Sequence, residues 1–377
     1  MKLNKPRVLF PFWGDTYGGS HIASLKLVEK LIENDQYEVI VGVHQKGVLT
    51  EVLNEKGISW MHLPKTFFPK SMIGRLLLMP FLSLLLTGFL KQKKINLVHT
   101  NDNKIHLLWG YACRYIGCHH LWHQRTKLSS RLSMMNINKS SKVVTISNFC
   151  KDSIVNKTLS ASEDIELVYD PVIEECPKYH RQKKEKDLQH GIVKLLFVAN
   201  LMPQKNFTAV IIALKDMRED YGIEASLTVA GEKREPYYSH CKDLAITLGV
   251  SDNIKYLGLV AEDDMNHLYQ THDLLIAPAI DEGLGMTLIE AAKNNCLVLA
   301  SYSGGHKELI EDGVTGLFFE PSLKKDLSNK IYNIITSGMD FSKLPERAIE
   351  DYKNRFSIRA HTDKISGIYE KIIYKIG

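Results

Sequence analysis

The chain has 377 residues, enough for two domains or three. It is 44% hydrophobic and 24% charged, the balance of a globular protein, which excludes a disordered, collagen-like or multi-span membrane chain. The formal net charge of +5 hides a split: residues 1–170 hold 22 Lys/Arg against 13 Asp/Glu (net +9), and residues 171–377 hold 26 against 30 (net −4). Residues 60–150 carry 13 basic side chains and one acid, Asp102. That asymmetry fits a polyanionic or membrane-surface partner for the first half, or a solvated basic face with no partner.

Met1–Asp15 starts basic, but its apolar run Val8–Trp13 is short and broken by Pro11, so it reads as a buried strand and not as a signal peptide. A strand over Arg7–Phe12, a glycine-containing loop and a helix over Ile22–Glu33 are predicted first. Strands at Tyr37–His44, Leu97–Thr100, His120–His123 and Lys142–Ser147 follow. Leu76–Leu90 is a 15-residue stretch without a charge, shorter than a spanning helix and interrupted by Pro80 and Gly88. With Lys65, Lys70 and Arg75 before it and Lys91, Lys93 and Lys94 after it, it reads as a core helix, as an interfacial patch on anionic headgroups, or as both.

Pro171, Pro177 and the run Arg181–Lys186 mark residues 171–193 as a linker. The alternation then restarts. Strands are predicted at Lys194–Ala199, Ser226–Ala230, Ile254–Leu257, Leu274–Ala277, Leu297–Ala300 and Gly316–Phe319, with helices at Phe207–Tyr221, Tyr237–Leu248, Asp263–Gln270 and Met286–Asn295. Strands alternating with helices make parallel sheets from βαβ units, so both halves are expected to be doubly wound α/β domains. The six cysteines are scattered with no CxxC pair, as in a reducing cytosol. Cys113, Cys118, His119, His120 and His123 crowd together, but their spacing matches no common zinc site.

Ligands of open α/β sheets sit at the carboxyl ends of the strands, so the loops after strands carry the information. The loop after Leu274–Ala277 reads Pro278-Ala279-Ile280-Asp281-Glu282-Gly283-Leu284-Gly285, and a helix starts there and contains Glu290. Gly283 and Gly285 let the backbone approach a ligand, and the N–H groups and dipole of a helix start suit a phosphate. Were the run wholly helical, Glu282 and Glu290 would stand about 12 Å apart, roughly the span from the ribose to the hexose of a nucleotide diphosphate-sugar. Capping acids at an ordinary helix start are the bland alternative. Lys205 follows the strand Lys194–Ala199 in Asn200-Leu201-Met202-Pro203-Gln204-Lys205-Asn206, and Ser303-Gly304-Gly305-His306-Lys307-Glu308 follows the strand Leu297–Ala300.

Together these motifs resemble the retaining glycosyltransferases of family 4, specifically over residues 194–320 and more weakly over nearly the whole chain. Gly18-Gly19-Ser20-His21 is similar to that family's first glycine loop, Val143–Ser147 to its strand ending in Ser, and Tyr169–Val172 to its entry into the linker. The resemblance implies the GT-B fold, two Rossmann-like doubly wound domains facing across a cleft. The acceptor domain would be residues 1–170 with a returning C-terminal helix at about 357–377, and the donor domain residues 171–356. It implies that Lys205 binds the donor diphosphate, Glu290 the ribose, and Glu282 the sugar near the reacting centre. Asn200 would sit by the diphosphate, and Gly283, Leu284 and Gly285 would give backbone contacts. Gly18, Gly19 and Ser20 would form a phosphate or acceptor loop, and His123 would face the donor sugar. Two positions depart from the pattern. Asn200 replaces a usual Arg, for which Arg125 or another basic residue is the candidate substitute, and Asp170 replaces a usual Asn.

The implied function is retaining transfer from a UDP- or GDP-sugar to a saccharide or lipid-linked acceptor, in bacterial cell-surface polysaccharide or lipopolysaccharide synthesis. No Asp-x-Asp lies in a suitable loop, Asn101-Asp102-Asn103 being the nearest, so no metal and no cofactor beyond the nucleotide-sugar is expected. The basic half suits the cytoplasmic face of the membrane, with a cytoplasmic, peripheral location. No module for nucleic acid is recognisable. A nucleotide-sugar epimerase of the same fold and a non-catalytic sugar-nucleotide binding protein are the rival readings.

Overall fold

The structure, a computed structural model, describes residues 5–67, 69, 71–158, 162–172 and 192–374. In chain order the elements are β1 (Arg7–Phe12), α1 (Gly19–Asn34), β2 (Glu38–Val43), α2 (Val48–Glu55), β3 (Trp60–His62), α3 (Met72–Gln92), β4 (Leu97–Thr100), α4 (Asn103–Ile116), β5 (His119–Gln124), α5 (Arg131–Asn136), β6 (Lys142–Thr145), α6 (Asn148–Val155) and β7 (Ile165–Leu167). There follow β8 (Val193–Val198), α7 (Phe207–Tyr221), β9 (Ala225–Ala230), α8 (Tyr237–Thr247), β10 (Ile254–Gly258), α9 (Glu262–Thr271), β11 (Leu274–Ala277), α10 (Met286–Lys293), β12 (Leu297–Ser301), β13 (Leu317–Phe319), α11 (Asp326–Thr336), α12 (Leu344–Arg355) and α13 (Ile358–Tyr374).

The chain divides into two compact units, Met1–Glu174 with Phe356–Gly377, and Glu175–Arg355. Most of the linker read at 171–193 lies outside the described residues. The first unit is built on a seven-stranded parallel sheet in the order β3-β2-β1-β4-β5-β6-β7, the second on a six-stranded parallel sheet in the order β10-β9-β8-β11-β12-β13. Both faces of the first sheet are covered, as parallel sheets require. Val8, Phe10 and Phe12 of β1 pack with Leu25, Val28 and Leu31 of α1 and Ile365 and Tyr369 of α13, and the intervening Leu9 packs with α3 and α4 through Leu82, Leu86, Leu108 and Trp109. In the second unit Leu195 and Phe197 of β8 and Leu227 and Val229 of β9 bury against Val210, Ile211 and Leu214 of α7.

Two expectations about local structure change. The first helix starts at Gly19, with Gly18 as its cap, three residues before the expected start. Leu76–Leu90 is not interrupted: Pro80 lies inside one helix, α3. Its apolar character is used on one face only. Met79, Leu82, Leu86 and Leu90 are buried, whereas Ile73, Leu77, Leu78, Phe81, Leu84 and Leu85 are exposed, Ile73 by 72% and Phe81 by 66%. Among the described residues no helix is long and apolar enough to cross a membrane.

The first unit also buries an unusual number of histidines. His99, His106, His120, His123 and His361 are all at most 3% exposed. Burial, and then the Arg125 guanidinium, holds His99 and His123 well below the usual histidine range, and burial, then His120 and His99, does the same to His106. Burial brings His120 and His361 down to about 3. Below about pH 6.5 the unfolded chain therefore binds more protons than the native one, and stability is lost as pH falls from 6.5 towards 3. The expected cost is about 1.4 kcal/mol per pH unit for each ring. Thermal denaturation should show Tm falling between pH 7 and pH 5. A Tm that is flat or rising over that interval would contradict neutral burial of these rings.

Candidate active site

In the second sheet the strand order reverses between β8 and β11, and the loops leaving the carboxyl ends of these neighbours diverge there. This is where open α/β sheets bind ligands. The loop after β8 is shaped by its neighbours. A Cβ on Gly231, which has φ +145°, would lie 2.0 Å from the Ala199 carbonyl oxygen, so glycine alone lets the loop after β9 close on it. There Asn200 accepts a hydrogen bond from the Glu232 N–H through its Oδ1 (3.0 Å). Pro203–Lys205 form a single 3-10 turn, and fully buried Phe207 anchors the start of α7. The Ile280 N–H donates to the Gln204 carbonyl (2.9 Å), which clips the loop after β11 to the one after β8.

This clip brings Lys205 and Glu282 together across 77 residues of sequence, with Nζ 2.5 Å from Oε2. Burial pushes the Glu282 carboxyl up, but the Lys205 ammonium, its hydrogen bond and His306 together outweigh burial and hold the group below the usual carboxylate range. Glu282 is thus an anion charge-balanced by Lys205. The segment Glu282–Leu284 is cradled from below by the loop after β12. The Gly305 N–H donates to the Glu282 carbonyl (2.8 Å). A Cβ on Gly304 would stand 2.5 Å from the Glu282 carbonyl oxygen, and one on Gly305 2.5 Å from that of Gly283. Gly283, Leu284 and Gly285 are buried.

The helix α10 starts only at Met286, so the chain between Glu282 and Glu290 is half loop and half helix, not the continuous helix behind the 12 Å span. Glu290 accepts a hydrogen bond from the Tyr269 hydroxyl of α9 (2.8 Å). One residue near this site had no chemistry attached to it in the sequence. His306 is buried, with Nδ1 3.2 Å from Ser301 Oγ and its ring edge against Gly285. Burial and Lys205 push it below the usual histidine range, against the pull of Glu282. A second is Arg234, after β9, with Nε 2.6 Å from Glu232 and NH1 3.3 Å from Met202 Sδ. It is a guanidinium beside the loop that carries Asn200.

The remaining predicted residues lie in the first unit. Gly18 caps α1 in an extended conformation with no side-chain hydrogen bond. Gly19 is the first helical residue, and the Ser20 carbonyl accepts from Ser24 Oγ (2.6 Å). His123, on β5, is fully buried. Its Nδ1 faces His99 (3.1 Å) and Arg125 (3.4 Å), while its Nε2 has no partner among the described residues. Arg125, the sequence candidate to replace the charge missing at Asn200, is itself buried in an ion pair with Asp170. The crowded cysteines and histidines do not converge. His120 Nε2 meets Thr100 (2.9 Å), Cys118 faces backbone carbonyls, and among the described residues no group of three His, Cys, Asp or Glu could hold a metal ion.

A carboxylate fixed against a lysine, a glycine-lined helix start and a second carboxylate further along that helix can hold an anionic leaving group and a polyhydroxylated ligand side by side. Comparison with known proteins defines the class. Over 97% of this chain and 100% of the other, the fold superposes with a TM-score of 0.79 and 18% identity on the Anabaena protein HepE, solved in complex with UDP and glucose. The architecture is therefore the two-unit GT-B fold of glycosyltransferases. More narrowly, residues 179–355, nearly the whole second unit, match the family described as glycosyl transferases group 1. Curated relatives include an uncharacterized glycosyltransferase of Methanocaldococcus jannaschii, 24% identical over 62% of this chain and 64% of that one. The O-antigen chain mannosyltransferase RfbU of Salmonella typhimurium is 29% identical over 54% of this chain and 53% of its own. The matched stretches thus span half to under two thirds of these relatives.

The glycine cradle gives a direct prediction. Gly305→Ala should lower stability by about 1–3 kcal/mol through overpacking against Gly283. Gly367→Ala, inside α13 with nothing within 4 Å of the added Cβ, should be neutral or slightly stabilising. Thermal denaturation of the two variants checks this. Equal Tm values would mean that the cradle tolerates a side chain.

Proposed function

We propose that the protein is a retaining glycosyltransferase of family 4. It would transfer a sugar from a nucleoside diphosphate-sugar to a saccharide or lipid-linked acceptor in cell-surface polysaccharide or lipopolysaccharide assembly. The observation that carries this reading is the Lys205–Glu282 pair at the strand-order reversal of the unit that matches the group 1 family. The diphosphate lies against Lys205 and the N-terminus of α10, which stabilise the charge that develops as the anomeric C–O bond breaks. Glu282 and the backbone of Gly283–Gly285 hold the sugar, and Glu290 accepts the ribose hydroxyls. The acceptor oxygen bonds to the anomeric carbon on the face the phosphate leaves, and its proton passes to the departing phosphate oxygen. No step in this scheme calls for a metal. Asn200 brings no charge. Arg234, one loop away, supplies it.

His123, Gly18, Gly19 and Ser20 are assigned to the sugar and the acceptor. The exposed apolar face of α3, in the segment with 13 basic residues and one acid, is read as the contact with the anionic cytoplasmic membrane surface.

Glu282→Ala should abolish transfer while leaving the far-UV spectrum unchanged. Arg234→Met should weaken the thermal shift given by the best-binding nucleotide-sugar without abolishing turnover. Near-normal consumption of donor by Glu282→Ala would sink the site assignment. A proton NMR spectrum of donor incubated alone separates transfer from epimerisation, since only an epimerase converts the donor sugar to its epimer without acceptor. The protein should co-sediment with anionic vesicles at low salt and be released by high salt. Leu77→Ser with Phe81→Ser should weaken this binding and spare turnover of a soluble acceptor analogue.

A further inference from the structure

Nothing about a histidine in a sequence says which ring nitrogen carries its proton. In the first unit a chain of hydrogen bonds answers that for His123. Arg125 NH2 lies 3.4 Å from His123 Nδ1. A guanidinium only donates. It cannot turn away, because NH1 is held by the Asp170 carboxylate and NH2 also donates to Asn101 Oδ1 (3.2 Å). His123 Nδ1 is therefore an acceptor and bears no proton. The same Nδ1 is 3.1 Å from His99 Nε2, so that nitrogen of His99 must be the one that donates. The bare Nδ1 of His99 then accepts from the Tyr369 hydroxyl at 2.5 Å. Burial first, and then Tyr37, raises the Tyr369 phenol well above its ordinary value, so it keeps the proton it donates.

The polarity thus runs from Tyr369 to His99 to His123, with Arg125 donating to the same atom. A neutral imidazole has one N–H, and that of His123 is left on Nε2, the buried atom with no partner among the described residues. His361 stacks on the His123 ring (5.9 Å between centroids, 16° between planes) and donates its own Nδ1–H to the Tyr169 carbonyl (2.7 Å). Tyr369 and His361 both belong to α13, the element that returns from the chain terminus to this sheet.

We propose that Tyr369 and His99 are positioning residues which, with Arg125, lock His123 as a neutral Nε2–H tautomer. It therefore serves as a fixed hydrogen-bond donor to a sugar oxygen and not as a base. The proposal rests on the reading that His123 faces the sugar. The lock itself does not depend on that reading.

The experiment is a two-bond 1H–15N correlation spectrum of protein labelled with 15N-histidine, with the His99 and His123 signals assigned from His99→Gln and His123→Gln. In the wild type both rings should show the Nε2–H pattern unchanged from pH 6 to pH 8. In Tyr369→Phe, His99 Nδ1 loses its donor. Its two nitrogen shifts should move towards each other, and turnover of the nucleotide-sugar that most stabilises the protein should fall about 10–100-fold, as when a histidine's orienting partner is removed, with KM unchanged. A proton on Nδ1 of His123, or a charged ring at pH 7, overturns the proposal. So does a Tyr369→Phe variant with wild-type His99 shifts and wild-type turnover. If Tyr369→Phe does not fold, the wild-type spectrum alone decides the tautomer. Full transfer by His123→Gln would instead remove His123 from the substrate site while the tautomer result stands.

Discussion

Each sheet of this protein reverses its strand order once, at β1/β4 in the first unit and at β8/β11 in the second, and the chemistry follows from that constraint. Parallel strands send all their loops from one edge. At a reversal the connections run to opposite faces and leave the two strand ends uncovered. Lys205 and Glu282 leave from these two ends in the second unit, which is why residues 77 positions apart form an ion pair. The pair needs more than adjacency. The Ile280–Gln204 hydrogen bond aligns the loops, and Gly304 and Gly305 let the next loop support Glu282 through backbone alone. A side chain at either glycine would press on the segment that holds the carboxylate.

The two units handle charge in opposite ways. In the second, the paired groups keep partial access to solvent, 27% for Lys205 and 21% for Glu282, so either is available to a ligand without stranding a buried charge. In the first, Arg125 and Asp170 are 4% and 2% exposed. A buried pair of this kind adds little net stability, but removing one partner strands the other. Its use here is directional: it pins a donor-only guanidinium against the histidine chain. The first unit's positive excess lies elsewhere, on the surface of the segment that exposes the apolar face of α3.

The fold class was legible because βαβ alternation leaves a strong mark, buried strands such as Val8–Phe12 and Leu195–Val198 being continuous apolar runs. The strands that left no mark, β3 and β7, are three-residue strands at the edges of the first sheet, too short for any periodicity and partnered on one side only. The helix α3 was misjudged at Pro80, where the rule that proline breaks helices met a segment apolar enough to be held by packing on α4. The glycines and carboxylates of residues 282–290 were visible as a local motif. The network around His123 was not, since His361, which stacks on its ring, Tyr369, which holds His99, and Asp170, which holds Arg125, lie between 47 and 246 positions away and no local pattern connects them. Sequence proximity instead suggested a cysteine–histidine cluster. Strand geometry scatters it, because His120 and His123 point to opposite faces of β5.

The two departures from the family pattern, Asp170 and Asn200, are related through charge. An aspartate at position 170 gives Arg125 a counter-ion in the interior, where the guanidinium is 4% exposed, whereas Arg234, though paired with Glu232, is 35% exposed and stays open to a ligand. The sequence candidate for replacing the charge missing at Asn200 is therefore committed to its own unit. Asn200 does what an arginine could not: its side-chain oxygen accepts from the backbone of Glu232 and ties the loop after β9 to the loop after β8. That tie places Glu232, and with it Arg234, beside Met202 in the loop that leads to Lys205. The substitution removes a cation from one loop and, through the hydrogen bond it makes possible, holds another cation against that loop from the next.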